Sequence, residues 1–280
     1  MTVTVIGTGL IGGSMALTLK EKGLATSVLG VDSSPRHLER ARVLGIIDEE
    51  VSLEEGVRRA DLIILAVPVD AGAVLLPQIL GWVDQQVVMD AGSTKGHIIE
   101  AVQGHPNRAR FVATHPMWGT EFSGPEAAEH GAFVGRAAVI CDREDSAKDA
   151  LEKVEQIYAT LEMRLVYMDA ASHDMHAAYV SHISHITSFA LANTVLEKEK
   201  EEDAIFTLAS GGFESTVRLA KSNPDMWVPI FRENRENVLD VLNEHITQLR
   251  KFKSCLEKEN YTYLKELIEQ AGEIRRVLNK

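Results

Sequence analysis

Apolar residues in the first 170 positions alternate between short continuous runs and helical spacing. The run DLIILAVP, at 61–68, is almost entirely apolar, as expected for a strand buried on both faces. Residues 10–22 and 35–44 instead place apolar side chains at helical intervals. Strands alternating with helices predict a mostly parallel sheet with helices on both faces. The predicted strands cover residues 2–7, 27–32, 61–68, 86–90, 110–115, 136–142 and 165–168.

The pattern changes near residue 170. Residues 170–198 predict one long helix, and the remaining sequence favours helices interrupted at Gly211, Gly212 and Pro224. The chain therefore predicts an α/β fold with two domains. Residues 1–169 would form a dinucleotide-binding domain with a doubly wound, mostly parallel sheet, and residues 170–280 an all-α C-terminal domain.

A glycine motif follows the first predicted strand and opens the first helix, with the sequence GTGLIG at 7–12. Gly7 permits a tight turn, Gly9 lets the backbone approach a pyrophosphate, and Gly12 lets the helix pack closely on the strand. The free N–H groups where the helix opens, at Leu10 and Ile11, attract phosphate. This context predicts a Rossmann-type dinucleotide site.

Asp32 ends the second predicted strand, 20 residues after Gly12. A carboxylate there can accept hydrogen bonds from an adenosine ribose, and it would repel the 2′-phosphate of NADP. Arg36 lies nearby and could pair with such a phosphate. The balance favours NAD as the cofactor.

Charge and composition exclude several classes of protein. Lys and Arg number 29 against 41 Asp and Glu, a net charge of −12, so general binding of nucleic acid or anionic membrane is not expected. No apolar run approaches the ~18 residues of a membrane span, and the N-terminus lacks a signal-peptide pattern. Cys141 and Cys255 suit reduced thiols, which predicts a cytoplasmic location.

Polar segments follow the predicted strands at the edge where such sheets bind ligands. DAGSTK at 90–95 contains Ser93, and THPM at 114–117 contains His115. A dehydrogenase that oxidises an alcohol must remove the hydroxyl proton as hydride leaves, and histidine suits this task. Ser93 could hold the same hydroxyl.

The long predicted helix carries a second polar group. At ~100° per residue, Asp174, Ser181 and His185 share a narrow arc, His182 lies at its edge, and His173 points elsewhere. No third ligand accompanies His182 and His185 at a fixed spacing, so no metal is expected. Beyond this helix, Arg218 presents a planar guanidinium suited to a carboxylate.

Together these segments resemble the prephenate/arogenate dehydrogenase family of tyrosine biosynthesis. The resemblance extends over nearly the whole chain and is carried by the glycine motif, DAGSTKG at 90–96, THPMWGTEFSG at 114–124, HD at 173–174, SHISH at 181–185 and GGFESTVRLA at 211–220.

The resemblance implies a role for each matching residue. His115 would hydrogen-bond the substrate hydroxyl and assist hydride transfer, with Ser93 beside it. His185 would lie at the substrate, and Arg218 would bind a substrate carboxylate. The further site-lining residues it implies are Thr120, Glu121, Ser181 and Trp227. Trp118 departs from the family pattern, in which a small residue is usual, and its indole could narrow the pocket or pack beside it.

The function implied is NAD-dependent oxidative decarboxylation of prephenate to 4-hydroxyphenylpyruvate. The alternatives are an arogenate dehydrogenase, another hydroxyacid dehydrogenase, and a non-catalytic NAD-binding sensor. A sensor would need the glycine motif but not His115 or Arg218. The resemblance and the apolar helices after residue 170 also predict a homodimer through the C-terminal domain.

Overall fold

The structure, a computed structural model of the chain, describes residues 1–200 and 205–278. Within them, eight strands form one sheet in the order β3-β2-β1-β4-β5-β6-β7-β8. The strands are β1 Thr2–Ile6, β2 Ser27–Val31, β3 Glu49–Glu50, β4 Leu62–Leu65, β5 Val87–Asp90, β6 Phe111–Pro116, β7 Ala137–Cys141 and β8 Arg164–Met168.

Helices connect the strands and follow the last of them. In the first half of the chain they are α1 Leu10–Glu21, α2 Pro35–Val43, α3 Leu53–Arg59, α4 Val69–Trp82, α5 Gly96–Glu100 and α6 Lys148–Thr160. After β8 they are α7 Ala170–Ala177, α8 Ile183–Glu199, α9 Gly211–Val217, α10 Pro224–Glu233, α11 Arg235–Glu257, α12 Tyr261–Ala271 and α13 Arg275–Leu278.

The sheet confirms the predicted mostly parallel α/β fold. Neighbouring described strands are parallel, apart from β6 and β7, which pair antiparallel. Residues 117–136, which connect this pair, contain no α-helix, whereas a parallel connection needs a crossover that is usually helical. The strand order reverses between β1 and β4, and ligands bind at such a switch point beyond the carboxyl ends of the strands.

Apolar side chains cover both faces of the sheet. Met15 and Leu19 of α1 and Ile157 of α6 are buried on one face. Leu76 and Ile79 of α4 are buried on the other. This explains the continuous apolar run in β4, because a strand with helices on both sides has no face exposed to water.

The helix predicted over 170–198 is present, but it contains an irregular turn. A π-helical turn at Ala178–His182 joins α7 to α8. A π turn holds more residues than an α turn, so the face on which later side chains lie shifts relative to a regular helix. Ser181, His182 and His185 are positioned by this turn or follow it.

The chain divides into two compact units, Met1–Asn234 and Arg235–Lys280. In the second unit α11 and α12 pack together, and Cys255 and Leu267 are buried. The boundary predicted between residues 169 and 170 follows the end of β8 and remains a prediction. Across the described ranges, no helix combines the length and apolarity needed to cross a membrane.

Candidate active site

The turn between β1 and α1 has the shape of a dinucleotide cradle. A Cβ on Gly7, which has φ +94°, would collide with the backbone of Ala66, and one on Gly12 would collide with the carbonyl of Gly7. A Cβ on Gly9 would meet only the amide nitrogen of Gly124, at 3.9 Å. The first two glycines are therefore required by the fold itself, while Gly9 borders open space.

The N-terminus of α1 is open toward that space. Gly9 is its N-cap residue and, having no side chain, makes no capping hydrogen bond to the first-turn N–H groups. These groups, near Leu10 and Ile11, carry the partial positive charge of a 12-residue helix. They fit the pyrophosphate of a dinucleotide, as the glycine motif predicts.

Asp32 braces this turn. Its Oδ2 accepts from the backbone N–H and the hydroxyl of Thr8, at 3.0 and 3.1 Å, and its Oδ1 accepts from the Ser34 N–H at 2.9 Å. Carboxylate oxygens offer about four acceptor positions in total, and Nδ1 of His37 lies 3.5 Å from Oδ1, so at most one position is left for a ribose hydroxyl. Asp32 thus holds the glycine turn, and its contact with a ribose stays a prediction.

A buried ion pair connects the ends of β5 and β6. Lys95 is fully buried and pairs with Asp90, and its Nζ also donates to the Thr114 carbonyl at 2.7 Å. Asp90 Oδ1 accepts from the Thr114 N–H at 2.9 Å, and Oδ2 from the Gly92 N–H at 2.9 Å. The pair fixes the turn that carries half-buried Ser93, and it places His115, next to Thr114, at the edge of the sheet.

His115 lies in a buried chain of side chains. Its Nδ1 is 2.9 Å from Nε2 of His173, and Nδ1 of His173 is 2.8 Å from Oδ1 of Asp174. Asp174 in turn accepts from the backbone N–H groups of Lys95 and Gly96, each at 2.8 Å. The three side chains are 9%, 2% and 8% exposed. These hydrogen-bonded side chains therefore connect the end of β6 to α7.

Burial and neighbouring charges favour the neutral form of His115. Desolvation, with smaller contributions from His173, Lys95 and His182, holds its pKa well below 6.5. At Asp174, burial opposes ionisation, but hydrogen bonds from His173, Gly96 and Lys95 hold the pKa below its usual value. At neutral pH the site thus pairs an unprotonated imidazole with an ionised carboxylate.

Two of the predicted substrate residues meet in an ion pair. Nη1 of Arg218 donates to Oε2 of Glu121 at 2.7 Å. Glu121 is 13% exposed in its side chain, whereas Arg218 is 50% exposed and retains N–H groups for another partner. Backbone hydrogen bonding and Arg218 lower the pKa of Glu121. Thr120, beside it, accepts from the Phe122 N–H at 3.3 Å.

A second pair lies on α8 and α10. The rings of His185 and Trp227 stack with centroids 3.5 Å apart and planes 26° apart. Nδ1 of His185 lies 3.0 Å from the Ser181 carbonyl, an acceptor, so the proton of neutral His185 is on Nδ1. Burial lowers the pKa of His185. The indole Nε1 of buried Trp227 has no partner among the described residues.

Trp118 packs against the hydrophobic core. Its indole meets Phe133 edge to face, with centroids 5.2 Å apart, and lies against the hydrophobic core that includes Phe133. The bulky residue that departs from the family pattern is therefore accommodated by packing on the core.

His173 is the functional candidate that the helical pattern missed. The helical wheel places it outside the arc of Asp174 and His185, yet it contacts His115. A wheel assumes one buried direction, but the start of α7 meets the edge of the sheet and buries two successive side chains, His173 and Asp174. The signal in the sequence was the adjacent His-Asp pair at a helix start just after a strand.

Two family models match the chain in succession. The one described as "Prephenate dehydrogenase, nucleotide-binding domain" matches residues 15–167, and the one described as "Prephenate dehydrogenase, dimerization domain" matches residues 169–270.

Curated and solved relatives cover almost the full chain. A prephenate dehydrogenase of Bacillus subtilis is 31% identical over 98% of this chain and 75% of its own length. A cyclohexadienyl dehydrogenase of Zymomonas mobilis is 29% identical over 99% of this chain and 95% of its own. The crystal structure of prephenate dehydrogenase from A. aeolicus, in complex with hydroxyphenyl propionate and NAD+, is 30% identical, covers 98% of each chain and has a TM-score of 0.85.

Proposed function

The chain belongs to the prephenate dehydrogenase family, and on that premise we propose how its residues carry out the reaction. It is an NAD-dependent oxidoreductase that converts prephenate to 4-hydroxyphenylpyruvate. Prephenate carries a ring hydroxyl at one carbon, and a carboxylate and a pyruvyl group at the opposite carbon. Oxidation of the carbinol gives a ketone conjugated through the ring, and loss of carbon dioxide makes the ring aromatic.

The residues of the glycine turn would hold the cofactor. Gly7 and Gly12 shape the turn, Gly9 would leave room for the pyrophosphate, the N–H groups at Leu10 and Ile11 would bind it, and Asp32 would accept from a ribose hydroxyl. When bound, NAD supplies the hydride acceptor.

His115 would accept the hydroxyl proton as the carbinol is oxidised. Its lowered pKa keeps the ring unprotonated at neutral pH, which a general base requires. Ser93, in the braced turn after β5, would hold the same hydroxyl. Loss of carbon dioxide then leaves a phenolate, and the proton on His115 can return to that oxygen, so the proton balance closes without another acid.

Arg218 would bind a substrate carboxylate with the N–H groups that Glu121 does not use. A local cation is needed because the chain has a net charge of −12 and would otherwise repel a dianion. Thr120, Ser181, His185 and Trp227 would line the rest of the pocket.

The observation that carries this proposal is the position of His115. It lies at the carboxyl end of β6, on the sheet edge shared with the glycine turn after β1, and it is held by the buried chain through His173. A non-catalytic NAD sensor would not need a buried, oriented imidazole at that edge.

The test is a steady-state assay of NADH formation with prephenate and arogenate in parallel. Wild-type protein should favour prephenate, and His115→Asn should lose on the order of 10²–10⁴-fold in kcat while the Kd for NAD stays near the wild-type value. His105→Asn is the matched control, since His105 lies in a loop outside the site. If His115→Asn retains most of the activity, His115 is not the base.

Arogenate is the second candidate substrate because of His185. Neutral His185 keeps its proton on Nδ1, leaving a lone pair on Nε2 that could accept from an ammonium. Arogenate carries an ammonium where prephenate has a keto group. A higher kcat/KM for arogenate than for prephenate in the same assay would assign the chain to this alternative.

We propose that the protein is a homodimer through the C-terminal domain predicted at 170–280. The model that matches residues 169–270 is described as a dimerization domain. Within the second compact unit, large apolar side chains are exposed at Leu249, Leu256, Ile268 and Val277, by 55–65%. Apolar exposure of this kind favours burial against a partner. Sedimentation velocity should give the mass of two chains, and Leu256→Asp should shift the measured mass toward that of a single chain.

We also propose a cytoplasmic location. Cys141 and Cys255 are free and buried, and burial raises the pKa of the Cys141 thiol to about 12. Unpaired, unreactive thiols suit a reducing compartment. Fractionation of cells that express the tagged chain tests this.

A further inference from the structure

We infer that His173 and Asp174 are positioning residues that place the single proton of neutral His115 on Nδ1 and leave Nε2 as the base. The inference rests on the proposed role of His115. It follows from which atom donates and which accepts in the hydrogen bonds that connect His115, His173 and Asp174.

The direction is set at Asp174. Its Oδ1 accepts from the Lys95 N–H and its Oδ2 from the Gly96 N–H, both at 2.8 Å. Backbone N–H groups can only donate, so this carboxylate is an acceptor on both oxygens. The 2.8 Å contact between Asp174 Oδ1 and His173 Nδ1 is therefore a hydrogen bond donated by His173.

The same reasoning applies to the hydrogen bond between His173 and His115. When His173 is neutral, its proton on Nδ1 leaves a lone pair on Nε2. That lone pair faces Nδ1 of His115 at 2.9 Å, so Nδ1 of His115 must carry the proton and donate it. In the opposite tautomer, two lone pairs would face each other in a buried site, at the cost of an unmade hydrogen bond on each ring.

His173 and Asp174 also stabilise the positive charge that His115 acquires when it accepts a proton. When Nε2 takes a proton, the imidazolium still donates from Nδ1 to His173, which donates to ionised Asp174. The three groups are 9% exposed or less, so these bonds act in a low dielectric and strengthen one another. An acidic group that orients a histidine and stabilises its imidazolium without taking its proton is an established device in hydrolases.

Substitution of Asp174 would not isolate this role, because Asp174 also accepts hydrogen bonds from the backbone N–H groups of Lys95 and Gly96 at the start of α5. The test therefore uses His173. His173→Leu removes the acceptor for His115, whereas His173→Gln can return an amide oxygen near the position of Nε2. His176→Leu is the matched control, since His176 is exposed on the same helix.

We expect His173→Leu to lower kcat for prephenate about 10–100-fold, as losses of outer histidine partners do in other sites, and His173→Gln to recover part of it. KM for prephenate and Kd for NAD should stay near wild type in both. Equal kcat in His173→Leu and wild type, or no recovery in His173→Gln, overturns the inference.

A second readout needs no substrate. Nitrogen-15 NMR of histidine-labelled wild-type protein, with His115 assigned by His115→Asn, should show Nε2 unprotonated at pH 7.5. In His173→Leu, the proton should move in part to Nε2. A wild-type spectrum with Nε2 of His115 protonated overturns the inference even if the His173 variants do not fold. If wild-type protein does not oxidise prephenate, the proposed function fails while this spectrum still decides the tautomer.

Discussion

Arg218, which we propose to bind a substrate carboxylate, is also held by an ion pair within the protein. Its guanidinium donates to Glu121 at 2.7 Å while half of its side chain remains exposed. An exposed ion pair contributes little to stability, so removing the arginine should cost the fold little. Its effect should therefore appear in binding.

Arg218→Ala should raise KM for prephenate by roughly 10- to 150-fold, because a charge-assisted hydrogen bond contributes ~1.5–3 kcal/mol. Arg218→Lys should recover part of this, since it keeps the charge and loses the planar fork. Arg232→Ala is the control: Arg232 is also exposed and ion-paired, to Asp70 at 3.0 Å. An unchanged KM in Arg218→Ala would mean that another group holds the carboxylate.

Asp32 is expected to govern cofactor preference. Asp32→Ala should weaken NAD binding by roughly 10- to 150-fold and reduce the preference for NAD over NADP, because it removes a charged acceptor from the ribose and from the Thr8 N–H. Isothermal titration with both cofactors measures it. Asp61→Asn, which alters a carboxylate that accepts from the Thr2 N–H, should change neither value. Equal turnover with NADP in the wild type would contradict the assignment.

At the scale of elements, the turn between β1 and α1 contains one glycine that the fold requires, Gly12, and one that we propose for cofactor binding, Gly9. Gly12 lies against the Gly7 carbonyl and Val5, so a methyl group there must displace backbone. Gly9 has only a distant neighbour at 3.9 Å, so the same methyl group fits the free protein and fills the space that we propose for the pyrophosphate.

Gly12→Ala should therefore lower Tm, with NAD affinity lost as a consequence. Gly9→Ala should keep Tm close to wild type while NAD binding weakens by about 10-fold or more, since a carbon atom then occupies the phosphate position. Gly81→Ala, with open space around it, controls for the substitution itself. Thermal denaturation with and without NAD distinguishes them, and a Gly9→Ala protein that binds NAD normally would contradict the assignment of the cradle.

At the scale of the whole molecule, buried histidines make stability depend on pH. His182 is 1% exposed and its Nδ1 lies 3.2 Å from Nδ2 of Asn234. Burial, together with His185 and His173 and against the attraction of Asp174, lowers the pKa of His182 from 6.5 to about 4. Between pH 6.5 and about 4, His182 is therefore protonated in the unfolded chain and neutral in the folded chain.

Because the unfolded state binds more protons between pH 6.5 and 4, stability must fall as the pH drops through that window. The share of His182 should reach about 2 kcal/mol by pH 5, and burial of neutral His115 acts in the same direction. Urea unfolding at pH 7.5 and 5.0 should show a smaller loss in His182→Asn than in the wild type. Identical losses in the two proteins would exclude a contribution from His182.

Local chemistry explains why much of the fold was predictable. The strands from β1 to β8, apart from the two-residue β3, follow apolar runs in the chain, and α1 follows helical spacing after the glycine motif. Each depends on neighbours within a few positions, so periodicity and turn chemistry determine it. The π turn at Ala178–His182 was not predictable, because no residue there demands it and only packing selects it.

The sequence by itself determined the alternation of strands and helices, the dinucleotide turn and the residues able to do the chemistry. Only the tertiary structure decided which of them meet. His115 contacts His173 across 58 positions, Asp174 accepts from Lys95 across 79, and Arg218 pairs with Glu121 across 97. Such contacts depend on the order of strands in the sheet and on where α7 docks against its edge. That is a property of packing, to which side chains far apart in the chain contribute together, and no local pattern encodes it.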